Sequence, residues 1–563
     1  MRITEVMTGR RHNNNQADLG SALLCDARQA RCLDCLDGMS LANFPDAPSR
    51  ADCVHGNRMR LAVDWTSWAV RTANPRTRIG QMGVARTART IFCALPLAVG
   101  LIGATSLGTM PAKAETIEIG IGTQNTTTNT VTAGVVLKEM GFLEKHLPKT
   151  GKYKDVTYSL SWQNFTSGPP VTNGMMANNI QIGMMGDYPL LVNGATGQAT
   201  KNPTQLVAII AYNQYGGGNG IVVNKDTPLY DFMDLKGKNV SVPFGSAAHG
   251  MLLASLQKRG LPDDFWNLVN QSPEIGSTNL QAKRIDAHAD FVPFPELLPF
   301  RGFARKIYDG AETRIPTFHG VVVRKDFAEK YPEIIVAYIE ALMEANDWLR
   351  KNPQMAAQKI DDWTKINKEV AYIYLGPDGI MTLDPTIKSR WVDAMKLDYA
   401  VLQKLNLIKQ LDIGAWVDDS YVRQAFKDNG LDYDKQLQSL ETYHVAGNDP
   451  ICNVPVTQPA QAGQIWVDGG DILSFSSPAC TLAGVRKFTA SGKKLDAVYL
   501  VDHELGIKVF ADEAFYAIGG TDPKKPEIVP FLLKRDAEAY AAKNGGKLAS
   551  YDEAITATAN FGN

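Results

Sequence analysis

Residues 162–189, WQNFTSGPPVTNGMMANNIQIGMMGDYP, constrain the fold more than any other stretch of this chain. The segment reads as the end of a strand, a Gly-Pro-Pro turn, a short helix and a second strand, IQIGMMG, that stops at Gly186-Asp187. Strands that alternate with helices build βαβ units and a parallel sheet. The polar turns Phe165-Thr166-Ser167-Gly168 and Gly186-Asp187-Tyr188 are then expected at one sheet edge. Open α/β sheets bind their ligands there, beyond the carboxyl ends of the strands. A binding cleft is therefore expected on this edge.

The same alternation continues on both sides. TIEIGIG, from Thr116, alternates with period two as a strand does. It runs into the polar loop Thr123-Gln124-Asn125-Thr126-Thr127-Thr128 and the helical pattern VTAGVVLKEMGFLEKHL. VTYSLSW and QLVAIIAY read as further strands. Gly216-Gly217-Gly218-Asn219-Gly220 breaks the pattern, and a second α/β set begins with the strand IVVN. In it, NVSVP leads through a Gly-Ser turn to a helix from about His249, whose free N–H groups near Ser246 suit an anion. RIDAHADFVPFPE then leads back to GVVVRKDF, a strand expected to rejoin the first set. The fold class expected is α/β, two lobes joined by two hinge crossings. The first lobe takes residues 115–218 and 318–442, with its C-terminal helices, and the second takes 219–317.

Residues 325–440 are largely helical in pattern, and the stripe Ile335, Ala337, Ile339, Leu342, Met343 reads as core packing. After Tyr443 a Pro/Gly-rich linker leads into short strands: QIWVDGG, DILSFSSP, DAVYLVDHELGIKVF and AFYAIGG. A final helix, KRDAEAYAAKNGG, stops at Gly545-Gly546 as helices commonly do. Residues 448–556 are expected to form a separate small α+β domain.

The chain has 563 residues, 44% hydrophobic and 21% charged, with a formal net charge of −1. That balance supplies no overall basic field for nucleic acid. Arg86-Thr87-Ala88-Arg89, the apolar run from Ile91 to Leu107, and Ala112-Lys113-Ala114 together describe a secretory signal peptide over 82–114. Cleavage is expected after Ala114, which places the mature chain in the periplasm without a membrane span. Residues 1–81, Arg-rich and without periodicity, are read as an over-extended start, with initiation near Met82 or Met59. Of seven cysteines, Cys25, Cys32, Cys35, Cys53 and Cys93 fall in the removed part. Cys32-x-x-Cys35 is therefore not read as a metal or redox motif. Cys452 and Cys480 remain, and an oxidising compartment permits a disulfide between them.

Residues 116–440 resemble the periplasmic substrate-binding proteins of ABC importers for nitrate, sulfonates and taurine. The resemblance is carried by W-x-x-F-x-x-G-P-P-x-x-x-G-M, by I-x-I-G-x-x-G-D-x-P, by DLKGKNVSVPFGSAAH, by GVVVRKDFAEKYPEIIVAYIEAL and by WVDDSYVRQAF. It implies a type II binding-protein fold that closes on a small solute and hands it to an ABC permease, without catalysis. The cleft residues it implies are Thr123, Gln124, Asn125, Thr126, Thr127, Phe165, Thr166, Ser167, Gly168, Gly186, Asp187, Tyr188, Gly245, Ser246, His249 and His319. Hydroxyls and backbone amides can donate to an oxyanion, and protonated His249 and His319 would add charge-assisted donors. No Arg or Lys falls in these loops. Asp187 reads either as a turn or helix-cap residue or as a partner for an amino group, as a zwitterion such as taurine requires. Met175, Met176, Met184 and Met185 could suggest copper but read more simply as packing.

EAFYAIGG…PEIVPFLLKRDAEAYAAKNGGKLASYDEAI resembles the C-terminal half of the copper-binding lipoproteins accessory to nitrous-oxide reductase. DILSFSSPA fits that family's upstream strand and turn. The Cys-Gly-Met element of that family reads Cys452-Asn453-Val454 here. Cys452, Cys480 and His503 could hold Cu(I) as a thiolate site, and a structural disulfide is the plainer alternative. A periplasmic copper-handling role for the tail is thus a second reading beside solute transport, and no other cofactor is expected. An enzyme on the same two-lobed fold, related to thiamin-pyrimidine synthesis, would need a cysteine-rich cluster that the lobes lack.

Overall fold

The computed structural model describes residues 115–440, 443–522 and 525–561. The expected signal segment and all that precedes it lie outside the described residues. Among the described residues, no helix is long and apolar enough to cross a membrane.

Eleven strands build the two lobes: β1 (Thr116–Thr123), β2 (Thr157–Asn164), β3 (Ile182–Gly186), β4 (Thr204–Asn213), β5 (Gly220–Asn224), β6 (Asn239–Val242), β7 (Asn267–Asn270), β8 (Ala287–Asp290), β9 (Ala304–Asp309), β10 (Thr317–Arg324) and β11 (Thr382–Leu383). One sheet has the order β11-β4-β10-β3-β1-β2, the other β7-β6-β8-β5-β9. Both sheets are mixed, which corrects the expectation of parallel sheets. β1 runs parallel to β2 and β3, but β10 is antiparallel to β3 and β4. In the second sheet β6 is parallel to β7 and β8, while β5 is antiparallel to β8 and β9. The cause is the path of the chain. β4 and β9 end at the crossings, and β5 and β10 begin there, so each strand leaving the hinge opposes one that arrives.

The crossings lie side by side. Gly310 N donates to Asn219 O at 2.8 Å, and Asn219 Nδ2 donates to Thr317 Oγ1 at 3.3 Å. Gly216 has φ +98°, and a Cβ there would stand 2.6 Å from Ile315 O and 2.7 Å from Gly310 O. Only glycine fits both the left-handed backbone and that approach.

The carboxyl ends of β1, β3 and β6 all open on the interlobe edge. The Gly-Pro-Pro segment forms the first turn of helix Gly168–Met176, with proline at its start. The helical pattern after β1 divides into Val135–Met140 and Phe142–His146, because Gly141 adopts φ +67°. Met175, Met184 and Met185 are fully buried among apolar neighbours, which is packing.

The tail carries a four-stranded antiparallel sheet and a three-stranded one. The segment DAVYLVDHELGIKVF divides into Leu495–Val501 and Lys508–Phe510, with a turn between them. Helix Pro478–Ala490 and the last helix, Tyr551–Ala557, add to the expected Lys534–Asn544.

The tail is fastened to both lobes. Lys368 Nζ meets Asp496 Oδ2 at 2.6 Å, Tyr499 Oη donates to Glu369 O at 3.1 Å, and Gln464 Nε2 donates to Tyr372 Oη at 2.9 Å. On the other lobe Arg535 pairs with Asp231 and Glu312, and the Phe300 and Phe510 rings lie 5.1 Å apart. Ile507 touches the first crossing, with Cγ2 3.1 Å from where a Gly217 Cβ would be. Buried apolar side chains run without a break from Ile119 and Ile121 through Ile373 to Tyr499 and Phe510.

Candidate functional site

The loop after β1 is tied down by its own side chains. Gln124 Nε2 donates to Met184 O at 2.7 Å, and Thr123 Oγ1 donates to Gln163 O at 3.2 Å. Thr130 Oγ1 bridges Gln124 O and Thr127 O, each at 3.0 Å, and Asn164 Oδ1 accepts from Asn125 N at 2.8 Å. Gln124 and Thr123 are therefore occupied in holding the loop. What the loop leaves over is notable chemically. The side-chain oxygens Thr127 Oγ1, Thr128 Oγ1, Asn129 Oδ1, Thr132 Oγ1 and Asn125 Oδ1 are buried without a hydrogen-bond partner. Each such group costs about 1–3 kcal/mol, so five in one loop are hard to explain by packing.

Asn129 Nδ2 lies 3.1 Å from His319 Nδ1. With the amide donating, the histidine proton sits on Nε2. That nitrogen faces the interlobe edge, 3.3 Å from where a Gly186 Cβ would be, and Ala247 Cβ of the other lobe stands at the same distance. Burial pushes His319 down to about 3 and His249 down to about 4. Both are neutral at physiological pH, so they donate or accept as dipoles and not as cations.

The second lobe supplies helix Ala247–Arg259. Ser246 caps it, its hydroxyl accepting from His249 N at 3.3 Å. His249 Nδ1 accepts from Gly245 N at 3.2 Å, and its ring stacks on Phe244 at 4.9 Å. The lobes are closed on one another. Tyr188 lies on Gly250, and Pro169 Cγ is 3.5 Å from where a Gly245 Cβ would be. The N-terminus of this helix therefore faces Gly186 and His319, and its free N–H groups favour negative charge.

Asp187 opens helix Asp187–Thr200, with Oδ1 accepting from Tyr188 N at 2.8 Å and Oδ2 from Thr317 Oγ1 at 2.6 Å. Burial raises its carboxyl above the ordinary range, against the pull of these hydrogen bonds. Asp187 and Tyr188 line a small cavity of about 30 Å³ together with Asn219, Gly250, Thr317 and Asp398.

The structure thus gathers Thr127, Gly186, Asp187, Tyr188, Ser246, His249 and His319 at the interlobe edge. Thr126 and Asn125 sit half-buried at its rim, and Thr166 is exposed. Phe165 packs against the core, and Ser167 and Gly168 begin a helix, Gly168 lying under Pro189. Sequence reasoning missed Asn129, Thr317 and Asp398. Asn129 continues the loop past its expected end, whereas Asp398 lies in a helix far along the chain with no local signal.

In the tail, Cys452 and Cys480 are joined as a disulfide. Asp449 stands with them, close enough to form a three-residue ligand group. His503 is elsewhere, packed edge-on against Phe531 and Tyr540. In the disulfide form the group does not fit copper. The sulfurs are bonded to each other, and the Asp449 oxygens accept from Ile451 N, Cys452 N, Ser476 N and Ser476 Oγ. Only reduction would free thiolates for a soft metal.

Residues 112–361 match the model of the NMT1-like family, and residues 446–559 match the NosL model. The chain joins an NMT1-like segment to a NosL segment. A Bacillus subtilis (strain 168) protein named "Putative aliphatic sulfonates-binding protein" is 24% identical over 316 residues, 55% of this chain and 89% of that protein. The "Taurine-binding periplasmic protein" of Escherichia coli (strain K12) is 28% identical over 217 residues, 38% of this chain and 64% of that protein. Among solved structures, the alkanesulfonate-binding protein SsuA from Xanthomonas axonopodis pv. citri, bound to MOPS, aligns with a TM-score of 0.46 at 19% identity. It covers 55% of this chain and 100% of its own.

Proposed function

We propose that the two-lobed part is an extracytoplasmic solute-binding protein. It captures a small polar solute bearing an oxyanion between its lobes and delivers it to an ABC permease. The observation that carries this reading is the cluster of buried, unpaired oxygens on Thr127, Thr128 and Asn129, set against His319 and the N-terminus of helix Ala247–Arg259 across a hinge. Hydroxyl and imidazole donors at a helix N-terminus are a recurrent way to hold an oxyanion without a cation. The names of the relatives, which are binding proteins, support a sulfonate-like solute and a non-catalytic role.

Calorimetry and thermal melts of the protein with alkanesulfonates, taurine and nitrate test the reading. A sulfonate is expected to raise the melting temperature, and Thr128→Val is expected to weaken its binding at least tenfold. That substitution exchanges an unpaired hydroxyl for a methyl of the same shape, so the unliganded protein keeps its stability. If none of these oxyanions shifts the melt, the reading fails.

A second reading places the function in the tail, as a copper-handling domain, and is favoured only by the Asp449, Cys452, Cys480 group. Cu(I) titration of the reduced protein, followed by thiolate-to-copper absorption, checks it. Loss of that signal in Cys480→Ser would support it, and a lack of signal in the reduced parent would end it.

A further inference from the structure

Asp187 by itself has an ordinary explanation, because both its oxygens are satisfied at the start of a helix. Asp398 has none. It sits in the middle of helix Ser389–Lys404, more than two hundred residues later in the chain, and only 3% of it is exposed. Its carboxyl faces the small cavity that Asp187 also lines. Burial, and then the charge of Asp187, hold it well above the ordinary carboxylate range. No lysine or arginine appears among the groups that act on either carboxyl. Tyr188 Oη is also buried. It lies beside Asp398 but is not aligned to donate to it, so it too has no hydrogen-bond partner.

Two acids buried against each other without a cation are costly, and the cost disappears when a positive charge stands between them. The cavity, about 30 Å³, has room for one group of water or ammonium size. Its far wall is made by Ala247, Gly250, Met251 and Ala254 of the other lobe, so an occupant is enclosed only when the lobes close. The oxyanion donors are next door. Gly186, directly before Asp187, pairs in register with His319, and Thr317, two residues before His319, holds the Asp187 carboxylate.

We propose that Asp398, Asp187 and Tyr188 form an ammonium subsite, and that the solute is a short zwitterion with an oxyanion at one end and an amino group at the other. This rests on the solute-binding reading above and names the solute class for that same cleft. Asp187 orients the group from the first lobe, and Asp398 supplies the charge that no internal cation neutralises.

Calorimetry on the full chain with matched ligands tests this: 2-aminoethanesulfonate against ethanesulfonate, and 3-aminopropanesulfonate against propanesulfonate. At least one amino ligand is expected to bind tenfold or more tightly than its amine-free partner. In Asp398→Asn, which keeps the shape, that preference is expected to fall below threefold while the amine-free ligand binds as before. The subsite is overturned, with the solute-binding reading intact, if amine-free sulfonates bind as tightly as their amino partners. It is equally overturned if Asp398→Asn leaves the preference unchanged. If no ligand binds to folded protein, both the subsite and the broader reading fall.

Discussion

At the scale of single residues, burial decides the chemistry of this cleft. His319 would be an ordinary titrating imidazole on the surface. Enclosed beside Asn129, it is held neutral down to about pH 3. Its folded value lies below its unfolded value of 6.5, so from there downward the unfolded chain takes up a proton that the folded protein refuses. The stability tied to His319 is complete above that value and falls as pH drops toward 3. The buried acids Asp187 and Asp398 act in the opposite sense, since their raised values favour the folded state at low pH and lose that advantage as pH rises. Comparison with His319→Asn isolates the histidine. Between pH 7 and pH 5 the stability advantage of the parent over the variant should shrink by about 2 kcal/mol, read from urea melts. Parallel pH profiles would contradict this. A second residue-scale case is Lys306, which is buried and ion-paired to both Glu296 and Asp309. Lys306→Met leaves two acids unpaired, and a loss of about 3–5 kcal/mol is expected in chemical denaturation.

At the scale of elements, much was legible because the signals are local. The alternation in TIEIGIG, the proline-led helix after Ser167 and the helix after Ser246 follow from spacing and from end residues. Helix Pro478–Ala490 also had its signal, a Ser477 cap followed by proline, but its small residues gave no clear apolar stripe. The directions of the strands were not legible, because period two says nothing about which way a neighbour runs. Helix Ala247–Arg259 carries the element-scale prediction. A Cβ on Gly250 would lie 2.1 Å from the Tyr188 ring, so Gly250→Ala should keep the fold but hold the lobes apart. Solution scattering would register a larger radius of gyration with solute present, and affinity should fall at least tenfold. A variant that closes and binds like the parent would show that Tyr188 yields easily.

At the scale of the whole molecule, the tail holds both lobes, and its attachment can be tested one contact at a time. Arg535 joins it to Asp231 and Glu312 of the second lobe. Arg535→Ala should cost about 1–3 kcal/mol and raise hydrogen exchange along the tail-facing surface of that lobe. Unchanged exchange there would mean that the contact does not fasten the domain. The Cys452–Cys480 bridge spans 28 residues, so its removal in a double serine variant should lower tail stability by about 3–4 kcal/mol by chain entropy. By itself the sequence determined two α/β lobes with polar loops at their strand ends and a different domain after the linker, because periodicity and turn chemistry are written in neighbouring residues. The tertiary structure alone decided that Asp398 meets Asp187, that the histidines are neutral, that His503 stands apart from the cysteines, and that the tail grips both lobes. These are matters of burial and of distance between residues far apart in the chain, which no local pattern encodes.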